Sequence, residues 1–235
     1  MKKFVLVCLC LTFGAGAATA VTPAEQLRKA TNVMNEIMKT PDEGIPSDLL
    51  GKAVCVGIVP SELKFAIGVG GNYGRGVLVC RRHGDGPWGD PSMFTLGGGS
   101  FGFQLGGQAT DVVFIVMNES GARKLVRDDV RIGGDISAAA GPVGRAGEAA
   151  TDAEMHAEIL SYSRNRGLFA GVSLSGAVLK ADNSENKKLY GSHVSAEQIL
   201  FGRAAVTKPA SARELDATLA RYSPRGGHAF THEAD

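Results

Sequence analysis

Apolar positions along the chain follow two different periods. Leu27, Ala30, Val33, Met34, Ile37 and Met38 recur at helical spacing and form one stripe. Thr22-Pro23-Ala24-Glu25 in front of them is a capping box with Pro at the first helical position, and Lys39 and Pro41 close the pattern. Such a stripe packs on a core or lies on a membrane surface. Its polar face carries acids as well as Arg28, Lys29 and Lys39, which favours the core. A short helix beginning at Ser47 fits Ile45 to Lys52. The period then shortens to that of strands. Val54 to Val59 reads as a buried strand stopped by Pro60, and Phe65 to Gly71 as a second strand. Asn72-Tyr73-Gly74-Arg75-Gly76 reads as a turn, with Val77 to Arg81 returning as a hairpin. His83 to Pro91 is a turn-rich loop that carries Trp88.

From Phe101 the side chains alternate. Phe101, Phe103 and Leu105 share one face, and Gly102, Gln104 and Gly106 pave the other, which invites close contact with another layer or a ligand. Val112 to Met117 is apolar on both faces and predicts a central buried strand. Asn118 caps a short helix reaching about Arg127. Strands follow at Val130–Ala139, Ile159–Ser163 and Leu168–Lys180, the last two joined by a turn at Asn165-Arg166-Gly167. Helices close the chain at Ala196–Phe201 and Ala210–Tyr222, where Leu215, Leu219 and Tyr222 share a stripe. The predicted class is α+β: a largely antiparallel, glycine-rich twisted sheet or partial barrel packed with N- and C-terminal helices. It forms a single domain over 21–222 with a flexible tail over 223–235.

Composition refines this picture. The 32 glycines in 235 residues are nearly double the roughly 7% average usage. They lie within strand-like runs, so tight packing and turns explain them better than disorder. Residues 1–20 read as a secretory signal peptide: basic Lys2 and Lys3, an apolar Phe4–Phe13 run, and Ala18-Thr19-Ala20 as cleavage site. That run has about half the ~20 residues a membrane-spanning helix needs. Cleavage after Ala20 would deliver a periplasmic or secreted protein. Without Lys2 and Lys3, basic residues fall from 25 to 23 against 24 acids. A chain-wide grip on nucleic acid is therefore excluded, and any basic site is local. Cys55 and Cys80 remain after cleavage, both in strand-like runs. Export permits a disulfide between them, the alternative being two buried thiols.

Two well-known motifs overlap in one place. Gly97-x-Gly99-x-x-Gly102 matches a dinucleotide fingerprint, and Gly98-x-Ser100-x-Gly102 a nucleophile elbow, with Asp111 and His156 or His193 downstream in hydrolase order. Both motifs need a helix next, and an alternating strand follows instead, so a Ser100 hydrolase is only a remote alternative. His228-x-x-x-His232-Glu233 has ligand-like spacing but lies in the tail. No zinc frame is present, and neither a metal nor a cofactor is expected. The basic residues that stand out are Arg145 after Gly141-Pro142-Val143-Gly144, Arg164 and Arg166 around Asn165, and Lys64, Arg75, Arg81 and Arg82 at strand ends. Arginine beside glycine-rich turns suits phosphate, because its planar fork binds two oxygens at once.

Residues from about Leu49 to Tyr222 resemble the SYLF domain, the lipid-binding domain shared by eukaryotic actin-patch regulators, plant FYVE proteins and exported bacterial proteins. The matching pieces are Lys64-Phe65-Ala66, the run Gly70 to Gly76, the run Phe101 to Gln108, Asp111, Gly141-Pro142-Val143-Gly144-Arg145, and the run Tyr162 to Leu174. The resemblance implies binding of phosphoinositide or another anionic lipid without enzymatic activity, and actin binding in eukaryotic members. Those members' membrane and actin contacts are assigned largely to their N-terminal part, where this chain has a signal peptide and its own capped helix. Actin is therefore not expected as a partner of an exported protein. The combined expectation is a non-catalytic, lipid-binding envelope protein. Its candidate lipid contacts are Arg145, Arg164, Arg166, Lys64 and Arg75, and a self-associating structural module is the alternative.

Overall fold

The computed structural model describes residues 21–39, 44–67, 69–100, 106–127, 129–144, 156–165 and 168–223, with the backbone alone over 63–67, 69–70, 99–100 and 106–108. The predicted signal peptide, the Phe101–Leu105 alternation and the tail histidines lie outside them. Among the described residues, nine strands form one curled, mostly antiparallel sheet resembling a half-barrel. They are β1 (Cys55–Ile67), β2 (Val69–Cys80), β3 (Ser92–Ser100), β4 (Gly106–Val116), β5 (Val130–Arg131), β6 (Ala138–Ala140), β7 (Ile159–Asn165), β8 (Leu168–Gly171) and β9 (Val178–Ala181). Their spatial order is β5-β9-β3-β2-β1-β4-β7-β6, with β8 also paired to β7. Among the described residues, six helices surround the sheet: α1 (Pro23–Ile37), α2 (Ser47–Lys52), α3 (Glu119–Leu125), α4 (Asn183–Tyr190), α5 (Ala196–Leu200) and α6 (Ala210–Tyr222).

The sheet is apolar on both faces, and each face builds its own core. On one face, Leu27, Ala30, Val33, Met34 and Ile37 of α1 and Leu215 and Leu219 of α6 cover Val56, Ile58, Val77, Val79, Val113 and Ile115. The α1 stripe is thus core, not a membrane surface. Thr22 caps that helix by accepting from the Glu25 N–H at 3.2 Å. On the other face, Phe94, Leu96, Val112, Phe114 and Val116 pack against Leu125 of α3, Leu200 of α5 and the Ile132 and Ile136 turn. Val112 to Val116 are fully buried, as their two-sided pattern predicts. Cys55 and Cys80 face each other across β1 and β2 and are joined in a disulfide.

Where local pattern and structure differ, contacts distant in sequence decide. The strand predicted to stop at Pro60 continues to Ile67, because Pro60 and Ser61 form a bulge opposite Asp111. Ser61 takes φ 56° there, and its N–H donates to Asp111 Oδ1 at 3.0 Å. The predicted turn over Asn72–Gly76 is the middle of β2, paired with β1 and β3. Gly74 and Gly76 serve packing: a Cβ on Gly76 would lie 2.4 Å from the Phe94 ring. The single strand expected over Val130–Ala139 is two short strands separated by a turn with Gly133 at φ 85°. Leu168–Lys180 likewise divides into β8 and β9. Ser223 is buried and hydrogen-bonded rather than part of a tail.

Candidate functional site

The ladder directions bring several connections to one end of the sheet. There β1 ends at Ile67 and β2 begins at Val69, β3 ends at Ser100 opposite Gly70, and β4 begins at Gly106 opposite Ala66. β7 leaves for β8 at Asn165, also at this end. Glycines fall on neighbouring strands at matched registers: Gly71 opposite Gly99, and Phe65 between Gly71 and Gly107. A Cβ on Gly71 or Gly97 would meet only backbone oxygens at ordinary van der Waals distance, 3.8 and 3.6 Å. Just inside this end lies a fully buried carboxylate, Glu62, which accepts from Asn72 Nδ2 at 2.6 Å. Among the described residues, Tyr73 at 51% and Leu168 at 80% are the exposed large hydrophobic side chains, and both belong to this half of the sheet.

The five basic residues expected at a lipid site separate. Arg164 Nε and Nη2 donate to Asp111 Oδ2 at 3.1 and 2.7 Å, and Nη2 also pairs with Glu36 of α1. Partial burial pulls its pKa down, but the bonds and charge of Asp111 and Glu36 outweigh this, and the net shift is upward. Arg164 therefore works as an internal tie between β7, the β1 bulge and α1. Arg75 pairs with Glu185 of α4 at 2.7 Å and donates to the Val21 carbonyl at 3.3 Å. Lys64 is placed by its backbone, between Asn72 and Gln108 in register. Arg145 and Arg166 lie outside the described residues. Arg166 is one of the two residues between Asn165 and Leu168, which pair with each other.

The glycine motifs of this region have a packing cause. Gly141 sits under the Tyr162 ring, where a Cβ would come within 2.1 Å, and a Cβ on Gly171 would lie 2.2 Å from the Gly141 carbonyl oxygen. Tyr162 and Phe169 stack with centroids 5.4 Å apart. The Gly141–Val143 segment and the β7–β8 hairpin thus form one packed unit. By contrast, Gly97 and Gly99 are extended and paired with β2, not set in the tight turn of a phosphate-binding loop, and Ser100 is opposite Gly70 in the same ladder. Asp111 is engaged by Arg164 and Ser61. Among the described residues, no cluster of His, Cys, Asp and Glu could hold a metal, and no helix is long and apolar enough to cross a membrane.

At the opposite end, sequence reasoning missed two polar clusters. Arg81 is buried over Trp88, 4.1 Å from the ring centroid, and donates to the carbonyls of Ala53, Gly86 and Ser223. Ser223 Oγ accepts from Arg81 at 3.0 Å and from Trp88 Nε1 at 3.1 Å, which locks the end of α6. The only signal for this was the adjacency of a lone tryptophan and an arginine pair at the loop. Nearby, Lys208 bridges Asp216 and Asp90. Burial pushes the Asp216 carboxyl up to about 6, against the pull of Lys208. A raised folded-state pKa means that the folded protein holds this proton more tightly than the unfolded chain. Its contribution to stability is present at low pH and is lost as pH rises from about 4 through about 6. Relative to the parent, Asp216→Asn is therefore expected to gain stability between pH 4.5 and pH 7 in thermal melts. A pH-independent difference would contradict the assignment.

A curled, mostly antiparallel sheet with a core on each face and a glycine-rich end defines an α+β domain. A family model described as Ysc84, Las17-binding protein actin regulator, matches residues 97–222. "LAS seventeen-binding protein 3" of Saccharomyces cerevisiae is 32% identical over 214 residues, covering 86% of this chain and 46% of the relative. "Protein YSC84" of the same yeast is 34% identical over 189 residues, 77% of this chain and 40% of the relative. "SH3 domain-containing YSC84-like protein 1" of Bos taurus is 31% identical over 206 residues, 85% of this chain and 59% of the relative. The chain belongs to the SYLF (Ysc84) domain family. It spans about half the length of the curated relatives it matches.

Proposed function

We propose that the domain is a non-catalytic module of an exported protein that docks on an anionic phospholipid surface through the glycine-rich end of its sheet. The observation that carries this reading is Leu168, 80% exposed at the start of β8 and two positions after Arg166. An apolar side chain beside a cation suits the boundary between headgroups and acyl chains. Arg145 and Arg166 supply the charge. Arg164 and Arg75 hold the scaffold, since each is already paired with a carboxylate. A basic group near an anionic bilayer is worth about 1 kcal/mol, so reversing two charges weakens binding on the order of a hundredfold or more.

The test is an Arg145→Glu/Arg166→Glu variant and a separate Leu168→Glu variant, both checked for folding by circular dichroism and then measured on anionic vesicles. Both are expected to fold and to lose binding. Folded variants that bind like the parent would remove this end from the reading. Arg164→Gln serves as the contrast, expected to lower stability through the Asp111 and Glu36 tie. A second reading, a protein partner in place of a lipid, is favoured by the family description and relatives' names, which specify Las17 binding and actin regulation. A folded protein that ignores vesicles but is retained by an immobilised protein partner would select it.

A further inference from the structure

At the sheet end opposite the proposed membrane contact, a pocket of about 290 Å³ opens between the loop after β2, α3 and the end of α5. Its apolar lining includes Val54, Cys80, Ala122 and Phe201. Its polar lining includes His83, Arg81, whose guanidinium is already bound to backbone carbonyls, and the two arginines Arg123 and Arg203, with Glu119 as the one carboxylate. The two exposed arginines come from separate elements and are independently placed. Arg123 stands on α3, one turn after Glu119, to which Nη2 donates at 3.3 Å. Arg203 follows Gly202, whose φ of 64° ends α5, and its backbone N–H returns to the Gln198 carbonyl at 2.8 Å. Its Nη1 donates to Glu197 Oε1 at 2.8 Å. A guanidinium carries five N–H donors in a planar fork, so one carboxylate contact leaves capacity for a second anion. His83 is held at φ 58°, a left-handed conformation that non-glycine residues rarely adopt, and Gly84 follows at φ 80°. Strain of this kind collects at ligand-binding positions.

We propose that this pocket binds a phosphate group, gripped between the forks of Arg123 and Arg203 with His83 at the rim. Its size admits a phosphate together with a small polyol. Glu119 opposes the ligand's charge and sets the affinity low. The site is separate from the membrane contact proposed above and stands whether or not that reading holds.

Titration of the purified full-length protein with inorganic phosphate in calorimetry at low ionic strength tests it. Saturable binding is expected. Arg123→Ala/Arg203→Ala should weaken it about a hundredfold, roughly tenfold for each guanidinium removed from the anion. Glu119→Gln should strengthen it a few-fold, an outcome that damage to the fold would not produce. All three side chains are more than half exposed, so the variants are expected to fold. Separate arms with glycerol 3-phosphate and with phosphatidic acid vesicles distinguish a soluble phosphate ester from a lipid headgroup. The vesicle arm is run in the Arg145→Glu/Arg166→Glu background, so that the membrane contact proposed above does not contribute, and adding Arg123→Ala/Arg203→Ala should abolish whichever is bound. No saturable binding in any arm, or binding that the folded double variant retains, overturns the proposal.

Discussion

Replacing Gly57 with valine is expected to abolish folding of the domain. Gly57 lies in β1 directly opposite Phe114 of β4, and the Phe114 ring covers it. A Cβ at this position would lie 2.1 Å from Cζ of the ring, with the ring's two ε carbons at 2.4 and 2.5 Å. The ring cannot step aside. Phe114 is fully buried and meets Phe94 edge-on with centroids 5.7 Å apart, and Phe94 in turn covers Gly76 of β2. Overpacking a tight core costs about 1–3 kcal/mol when neighbours can shift. Here two further methyl groups and a displaced aromatic pair add to that, against a total stability of about 5–15 kcal/mol. Gly57→Ala should be milder but still strongly destabilising. The check is the far-ultraviolet spectrum and urea midpoint of both variants; a cooperative, parent-like midpoint for Gly57→Val would contradict the packing account.

Loss of the Cys55–Cys80 disulfide is expected to be the next largest effect. The bridge spans a sequence separation of 25 residues and joins the two central strands where Cys55 and Cys80 pair in register. Closing a loop of that length restricts the unfolded chain by about 3–4 kcal/mol in the chain-entropy account. Both cysteines are buried, so the bridge is shielded from reductant until the sheet opens. A Cys55→Ala/Cys80→Ala variant should therefore melt roughly 10 °C lower. Native protein should yield the linked peptides in non-reducing mass spectrometry and resist alkylation. Equal melting of parent and variant, or rapid alkylation of both thiols without reductant, would contradict this.

The sequence was readable wherever local order coincides with the final environment. The stripe and Thr22 cap of α1, the Asn118 cap of α3, the two-sided apolar run of β4 and the bounds of α6 each follow from near neighbours, although Glu25 does not complete the expected capping box. It misled where partners lie far away. Pro60 stops a strand in isolation, but Asp111, about fifty residues on, satisfies the bulge that carries β1 past it. Asn72 to Gly76 has turn composition, yet two neighbouring strands and the Phe94 ring fix it as strand. Helix α4 has little apolar pattern. It is anchored by Asn186, which accepts from the Met93 N–H at 2.7 Å, and by the Glu185 pair with Arg75. The arginines show the same limit. Glycine-rich flanks drew attention to Arg164, but its carboxylate partners on β4 and α1 make it structural.

The most direct test of the lipid-docking reading is co-sedimentation of the folded protein with vesicles of anionic and of neutral phospholipid at two ionic strengths. The account predicts binding to the anionic vesicles that weakens strongly as salt rises, because exposed charges are screened beyond about 8 Å at physiological ionic strength. Little binding to neutral vesicles should be seen, since Leu168 and Tyr73 offer only a small apolar contact. Equal binding to both compositions, or no binding to either by a folded protein, would contradict it.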